Sequence, residues 1–350
     1  MAARTDDSLL FVAEWYDPQP QMKKQFLLKY FPDQHTAEMV DVKYKKIFLK
    51  KSPCPPHMTK EDFYVGGKIV LYSRELEIID YGDLKTKEKL HYQVQQCVVI
   101  LPPSSYSHWG KIIDDLHRDL TIVQAQTVVL PASLSHRMCS VLEESTRSEQ
   151  QFMEGVSLVL MLHSEDGFSK VQSVADKYNA NKVQVLFAKN GMQSSELASF
   201  LFGSEMGTTA TLDSCTCCVI KPHAVKARCV GGIIDEIINQ GYEISAVKSL
   251  LFEKAQAEEF LEVYKGVIPE YGDHVVQLCT GLSIALELRA QHAVETFRVT
   301  SGPWDIDMAK ELRPNTLRAK YGIDRVLNAV HSTDLPEDGP LECEYCFKLM

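Results

Sequence analysis

The sequence predicts an α+β protein in three parts: a small antiparallel β barrel, then two copies of one α+β sandwich built on an antiparallel sheet. Three observations carry this. Residues 8–82 are short β-branched or aromatic runs separated by turn residues, and no helical window competes with them. From Cys97 the pattern becomes strand, helix, strand, helices, strand, helix, strand. That order then returns, and the return is visible in residues: WGKIIDDL at 109–116 mirrors GGIIDEII at 231–238, and VVIL at 98–101 faces CVIK at 218–221. The expected domains are 1–90, 95–205 and 213–350.

Taken in order, LLFVAEW, FLLKYFP, AEMVDV, KIFLK, KIVLYS and LEIIDYG are the strands of the first part, and PDQHT, SPCPPH and GG punctuate them. Lys43, Lys45, Lys46, Lys50 and Lys51 crowd into nine positions, with no acid between Val42 and Lys60. Alternation along a strand would put Lys43 and Lys45 on one face as a basic ridge. Such a ridge either guards an edge strand or docks an acidic protein surface. A charged linker at 83–93 follows. In the first copy CVVILP (97–102), LTIVQAQTVVLP (120–131), VSLVLMLH (156–163) and KVQVLFA (182–188) read as strands, with amphipathic helices between them. In the second, TCCVIKP (216–222), YEISAVKSLLF, LSIALELR (282–289) and NAVH play the same parts.

With 350 residues, a net charge of −10 and a mean hydropathy of −0.15, the chain reads as soluble and globular. No run reaches the length of a membrane span, and MAARTDDSLL lacks a signal core, so a cytoplasmic location is expected with neither membrane nor nucleic acid as partner. The ten cysteines fit reduced thiols. Cys215, Cys217 and Cys218 precede an apolar strand, and Cys343 and Cys346 form a CxxC. They read as packed thiols, and no metal ligands are expected.

The stretch that suggests covalent chemistry is NAVHSTD, 328–334. A short apolar strand delivers His331 to its open end, where a ring nitrogen can accept a phosphoryl group if neighbours fix the tautomer. Thr333 or Glu342 can hold the imidazole. Lys221, ending its strand before Pro222, offers a point charge to a phosphate, and Arg298 and Arg318 can each fork onto phosphate oxygens. Asn328 can bond a ribose hydroxyl. No GxxxxGK[ST] loop is present, which excludes a P-loop.

CVIKPHAV (218–225), the GGIIDEI helix, RPNTLRAKYG (313–322) and NAVHSTD resemble the nucleoside diphosphate kinase family. FVAEWYDP (11–18), VDVKYKKIFLKK (40–51) and LEIIDYGD (76–83) resemble the DM-ten domain of ciliary proteins. The resemblance implies ferredoxin-like βαββαβ domains, transient phosphorylation of His331, and Thr333 with Glu342 orienting it. It also implies nucleotide contacts at Lys221, Arg298, Arg318 and Asn328, and Mg²⁺ carried in with the nucleotide. Two departures stand against full activity. Val267 or Ile268 occupies the place of a phosphate-gripping arginine, and Trp304 falls near that of a phosphate-binding threonine. The first copy has Leu101 in place of the lysine and is expected to place Ala188 where the histidine belongs. Two functions therefore compete. One is a structural component of the ciliary or flagellar axoneme, bound to tubulin of the doublet microtubule and to other axonemal proteins, with weak or no phosphotransferase activity. The other is an active nucleoside diphosphate kinase working through His331.

Overall fold

The computed structural model describes residues 8–17, 22–56, 58–91, 95–143, 155–203 and 206–350. The linker expected at 83–93 is a helix over Leu84–His91. Its last two residues, 92 and 93, the acidic N-terminal residues and the end of the helical stretch 132–145 lie outside the described residues. The chain divides into two compact units, one of them Met1–Gln93 with the short segments Phe252–Ala257 and Cys279–Gly281.

In that unit six strands, β1 (Leu9–Asp17), β2 (Met22–Phe31), β3 (Thr36–Asp41), β4 (Ile47–Pro53), β5 (Lys68–Leu71) and β6 (Arg74–Tyr81), form one antiparallel sheet in the order β4-β3-β2-β1-β6-β5. Period-two burial places Leu9, Phe11, Ala13, Phe26, Leu28, Tyr30, Leu76 and Ile78 on the inner side of a half-barrel. The ring of Tyr30 stacks on Phe63 at 4.0 Å. The lysine ridge differs from expectation. Lys43, Lys45 and Lys46 lie in the turn between β3 and β4, where strand alternation does not apply. Asp41 organises that turn, its carboxylate accepting from the Tyr44 N–H at 2.7 Å and its carbonyl from the Lys45 N–H at 2.9 Å. Lys50 and Lys51 follow on β4, and all five are exposed beside the exposed Tyr44 and Ile47.

The other unit holds both copies in one eight-stranded sheet. Its strands are β7 (Gln95–Leu101), β8 (Thr121–Val128), β9 (Ser157–Ser164), β10 (Leu186–Phe187), β11 (Cys215–Ile220), β12 (Glu243–Leu251), β13 (Leu282–Arg289) and β14 (Val330–Ser332). The order β10-β7-β9-β8-β12-β13-β11-β14 is the antiparallel βαββαβ order written twice, fourth-first-third-second and then its mirror. The second strands of the two copies meet edge to edge. A single ladder pair, Lys248 with Gln126, is extended by hydroxyls: the Ala125 N–H donates to Ser249 Oγ and the Val247 N–H to Thr127 Oγ1. The helices Trp109–His117 and Val230–Asn239 pack on each other below this seam. Glycine is required at the crossing: a Cβ on Gly110 would lie 2.3 Å from the Asp235 nitrogen, and one on Gly231 would lie 2.3 Å from the Asp114 nitrogen. The reciprocity is that of a two-fold pair built within one chain.

The last strand of the first copy is shorter than the run 182–188 suggests. The side-chain amide of Asn179 takes both the N–H and the carbonyl of Val185, removing those groups from the ladder. Among the described residues no helix is long and apolar enough to cross a membrane.

Candidate active site

The site is built on β11 and the short strand β14, which pair with Val219 opposite His331. The residue two before the histidine, Ala329, is held at φ +67°, a strained value for a side chain with a Cβ. It is pinned from both sides: its N–H donates to His223 Nε2 at 3.1 Å, and its carbonyl accepts from the Lys221 N–H at 2.9 Å. Burial and the nearby Lys221 ammonium push His223 down to about 4, which keeps its ring available as that acceptor.

The helix Asp338–Glu344 supplies the orienting carboxylate. Glu342 Oε2 lies 2.8 Å from His331 Nε2 and accepts from Thr333 Oγ1 at 2.8 Å. Thr333 Oγ1 is itself held by the Cys217 N–H at 3.0 Å. A proton on Nε2 directed at Glu342 leaves the lone pair on Nδ1, the tautomer a nucleophilic histidine needs. Nδ1 is buried and finds no hydrogen-bond partner among the described residues.

Around it stand the other residues the sequence singled out. Lys221 is 3% exposed, with Nζ 3.2 Å from His274 Nδ1 and 3.3 Å from the Val326 carbonyl. Burial, reinforced by the charge of Arg318, holds its ammonium well below the usual lysine range. Arg318 donates to the Val330 and Gly302 carbonyls and to Ser332 Oγ, and burial lowers it also. Both oxygen and nitrogen of the Asn328 amide are buried without a partner among the described residues. Arg298 stands apart, half exposed, donating to the Asp334 carbonyl at 2.9 Å with its Nε 3.4 Å from the Asp334 carboxylate. Tyr264 donates to the other Asp334 oxygen at 2.7 Å.

Two buried cations without a carboxylate, an orphaned amide and an orphaned imidazole nitrogen form a set suited to an anion. The Trp304 ring stands beside this set, 5.5 Å from Lys221 Nζ and 5.2 Å from the Arg318 guanidinium, within cation–π distance of both. His274 packs on Trp304 at 4.9 Å and is held neutral, down to about 3, by burial and the two cations. Phe260 at 4.8 Å and Tyr264 at 6.2 Å close over the His331 ring, which is 1% exposed. The donors thus fit the phosphates of a Mg²⁺–nucleotide, with Trp304, His274, Phe260 and Tyr264 packed around them. Trp304 was visible in the sequence as a misfit; His274, on a helix of ordinary amphipathic pattern, gave no signal.

Among its described residues the first copy carries no counterpart. Leu101 is fully buried in a core cluster, and the position in register with His331 is Phe187, opposite Val99, rather than Ala188. Ala188 lies one position beyond it, its N–H donating to the Val98 carbonyl.

A βαββαβ domain that presents a strand-end histidine to a ring of phosphate-type donors, with a carboxylate on its far nitrogen, defines a class of phosphohistidine phosphotransferase domains. The chain belongs to the nucleoside diphosphate kinase family. The nucleoside diphosphate kinase model matches residues 214–350. The chain is similar to nucleoside diphosphate kinase homolog 7 of Rattus norvegicus, 33% identical over 371 residues that cover 97% of this chain and 93% of the relative. Its similarity to nucleoside diphosphate kinase homolog 7 of Mus musculus is 32% identity over 370 residues, with the same coverage. The solved nucleoside diphosphate kinase of Aquifex aeolicus aligns at 31% identity and a TM-score of 0.37, over 39% of this chain and 95% of that one.

Proposed function

We propose that this chain is a structural component of the ciliary or flagellar axoneme, binding the tubulin of doublet microtubules and neighbouring axonemal proteins, with weak or no phosphotransferase activity. The observation that supports weak activity is the Trp304 ring within cation–π distance of both Lys221 and Arg318, together with a His331 that is 1% exposed. The first copy, with Leu101 and Phe187 at the charged and nucleophilic positions, contributes only surface and core. The partner-binding part rests on the turn and strand bearing Lys43, Lys45, Lys46, Lys50 and Lys51. There exposed cations surround the exposed Tyr44 and Ile47, a combination suited to an acidic protein surface. Cytoplasm, cytoskeleton and axoneme are the locations this reading assigns.

Salt-dependent co-sedimentation of the full chain with microtubules tests it. Substituting Lys43, Lys45 and Lys46 together by Glu should weaken binding by about tenfold or more, and salt should weaken it in the unsubstituted chain. Binding unchanged by the triple substitution sinks the assignment of this face. Retention of His331→Ala on microtubules is expected.

The alternative, an active nucleoside diphosphate kinase that takes Mg²⁺ with its nucleotide, keeps one observation in its favour: His331, Glu342 and Thr333 retain the orienting geometry, with Nδ1 unpaired. Incubation with ATP and Mg²⁺ distinguishes the two. An acid-labile, base-stable label that His331→Ala abolishes, formed at the rate of an ordinary phosphotransferase, would favour the enzyme.

A further inference from the structure

Cys215 and Cys217 alternate onto one face of β11, the face on which Glu287 lies directly across from Cys217 on β13. The C-terminal helix Asp338–Glu344 and its π-helical continuation Tyr345–Leu349 carry Cys343 and Cys346, three residues apart and so on one helix face. Gly339 lets this helix come close to β11: a Cβ there would lie 2.3 Å from the Cys215 carbonyl oxygen. The sulfurs approach in two pairs as a result: Cys217 Sγ is 3.9 Å from Cys346 Sγ, and Cys215 and Cys343 are close neighbours. Cys215, Cys343 and Glu287 place their ligand atoms within 4.8 Å of one another. Exposure is 4% at Cys215 and zero at the other three.

We propose that Cys215, Cys217, Cys343 and Cys346 bind one Zn²⁺ in a closed tetrahedral site. Zinc–sulfur bonds of about 2.3 Å set a sulfur–sulfur edge of about 3.8 Å, so the Cys217–Cys346 pair already stands at that edge. The Cys215 and Cys343 sulfurs, within 4.8 Å of one another, would have to close to the same edge on binding. Glu287 is left outside the ligand set because its oxygens are engaged: the Thr211 and Leu212 N–H groups donate to it at 2.7 Å each, and Ser245 Oγ at 2.5 Å. Soft thiolates and the absence of open coordination positions favour Zn²⁺ over hard cations. Binding displaces the thiol protons to solvent and changes no oxidation state.

The site would join two elements that the phosphohistidine geometry depends on. Cys343 follows Glu342 directly, and the Cys217 N–H holds Thr333. Zinc here would fix the distance between the helix that supplies the carboxylate and the strand that positions its threonine partner. Glu342, Thr333 and His331 would then stay in register whether or not nucleotide is ever processed.

The test is metal analysis of the full chain expressed with zinc in the medium and purified without chelator. One zinc per chain is expected, falling to background in Cys217→Ser and in Cys346→Ser and retained in Cys139→Ser. Replacing zinc by Co²⁺ should give the thiolate charge-transfer and tetrahedral ligand-field absorption, so the unsubstituted chain decides the question even if the serine variants fail to fold. A strong chelator should lower Tm by about 5 °C or more in the unsubstituted chain. Zinc at background with no Co²⁺ spectrum and no chelator effect overturns the proposal. So does zinc that persists in both serine variants, or a Cys217–Cys346 disulfide found by mass spectrometry in protein prepared under reducing conditions.

Discussion

Replacing Trp304 by threonine removes the ring that packs against both Lys221 and Arg318 and sets a small hydroxyl near the same backbone. The ring is half-buried, so the loss of packing falls at the lower end of the roughly 3–5 kcal/mol typical of a buried aromatic. Its two cation–π contacts contribute roughly 0.5–2 kcal/mol each and are part of that loss rather than additional to it. A net cost of about 3 kcal/mol lowers Tm by about 6–12 °C in a unit of this size. What returns is the anion site. Lys221, Arg318, the Asn328 amide and His331 Nδ1 then face an open volume, and phosphate groups can pair with them. Mg²⁺–ADP at about a hundred times its dissociation constant would restore about 2.7 kcal/mol. Differential scanning fluorimetry with and without Mg²⁺–ADP reads both effects. The unsubstituted chain should show no nucleotide-dependent shift, and Trp304→Thr should show a lowered Tm that nucleotide raises by several degrees. A folded Trp304→Thr that ignores nucleotide, or an unsubstituted chain that already responds, would refute the role given to this ring.

Two further predictions concern stability. Gly110→Ala and Gly231→Ala each drive a methyl group into the backbone of the opposing helix, so each should cost about 3 kcal/mol or more. Gly191→Ala, with nothing within 4 Å of its added methyl group, should be neutral or stabilising in the same urea titration. Burial pushes His117 and His163 down from about 6.5 to about 4, so the folded chain holds them neutral while the unfolded chain protonates them. Their contribution is complete above pH 6.5 and is lost as pH falls towards 4, by about 2 kcal/mol each at pH 5. Stability measured at pH 7.5, 6 and 5 should therefore decline, and His117→Gln should reduce the slope by roughly one proton; a flat profile would show that neither histidine is held neutral by the fold.

Much of the fold could be read from the chain because its signals were local. Period two in residues 8–82, and the paired strings around Ile112 and Ile233, report contacts between near neighbours or between two copies of one pattern. The lysines at 43–46 lie off the strand because Asp41 turns the chain by accepting from the Tyr44 and Lys45 N–H groups, and an Asp before Val-Lys-Tyr looks like any strand residue. The end of the first copy differs by one residue because the histidine position is set by which residue faces Val99, a cross-strand pairing that the run KVQVLFA does not display. At the site, residue types were legible and their occupancy was not. His331, Lys221 and Arg318 stand where their types imply, but their donors are already turned inward, and that depends on His274 and Trp304 meeting across the fold. The same holds for the cysteines: CxC and CxxC were plain in the sequence, whereas their convergence depends on how closely Gly339 lets a helix approach β11.

The two copies have diverged in chemistry while remaining matched in shape, and the places of divergence bear on what the duplication does. The glycine crossing between Trp109–His117 and Val230–Asn239 needs both partners, since a change at either glycine strikes the other helix's backbone. The hydroxyl-bridged seam between β8 and β12 likewise needs both edges. These features constrain the first copy wholly through its pairing surface, and they are intact. The residues that would have constrained it through chemistry are Leu101 and Phe187, both apolar and buried. A first copy kept for pairing covers the edge strand and the helix face of the second, which a single kinase-like domain could cover only by meeting another chain. Internal pairing leaves the outward surfaces of one polypeptide fixed relative to one another without depending on concentration. Under the proposed structural role that fixed geometry is a stronger requirement than it is for a catalyst, and the intact seam supports that proposal.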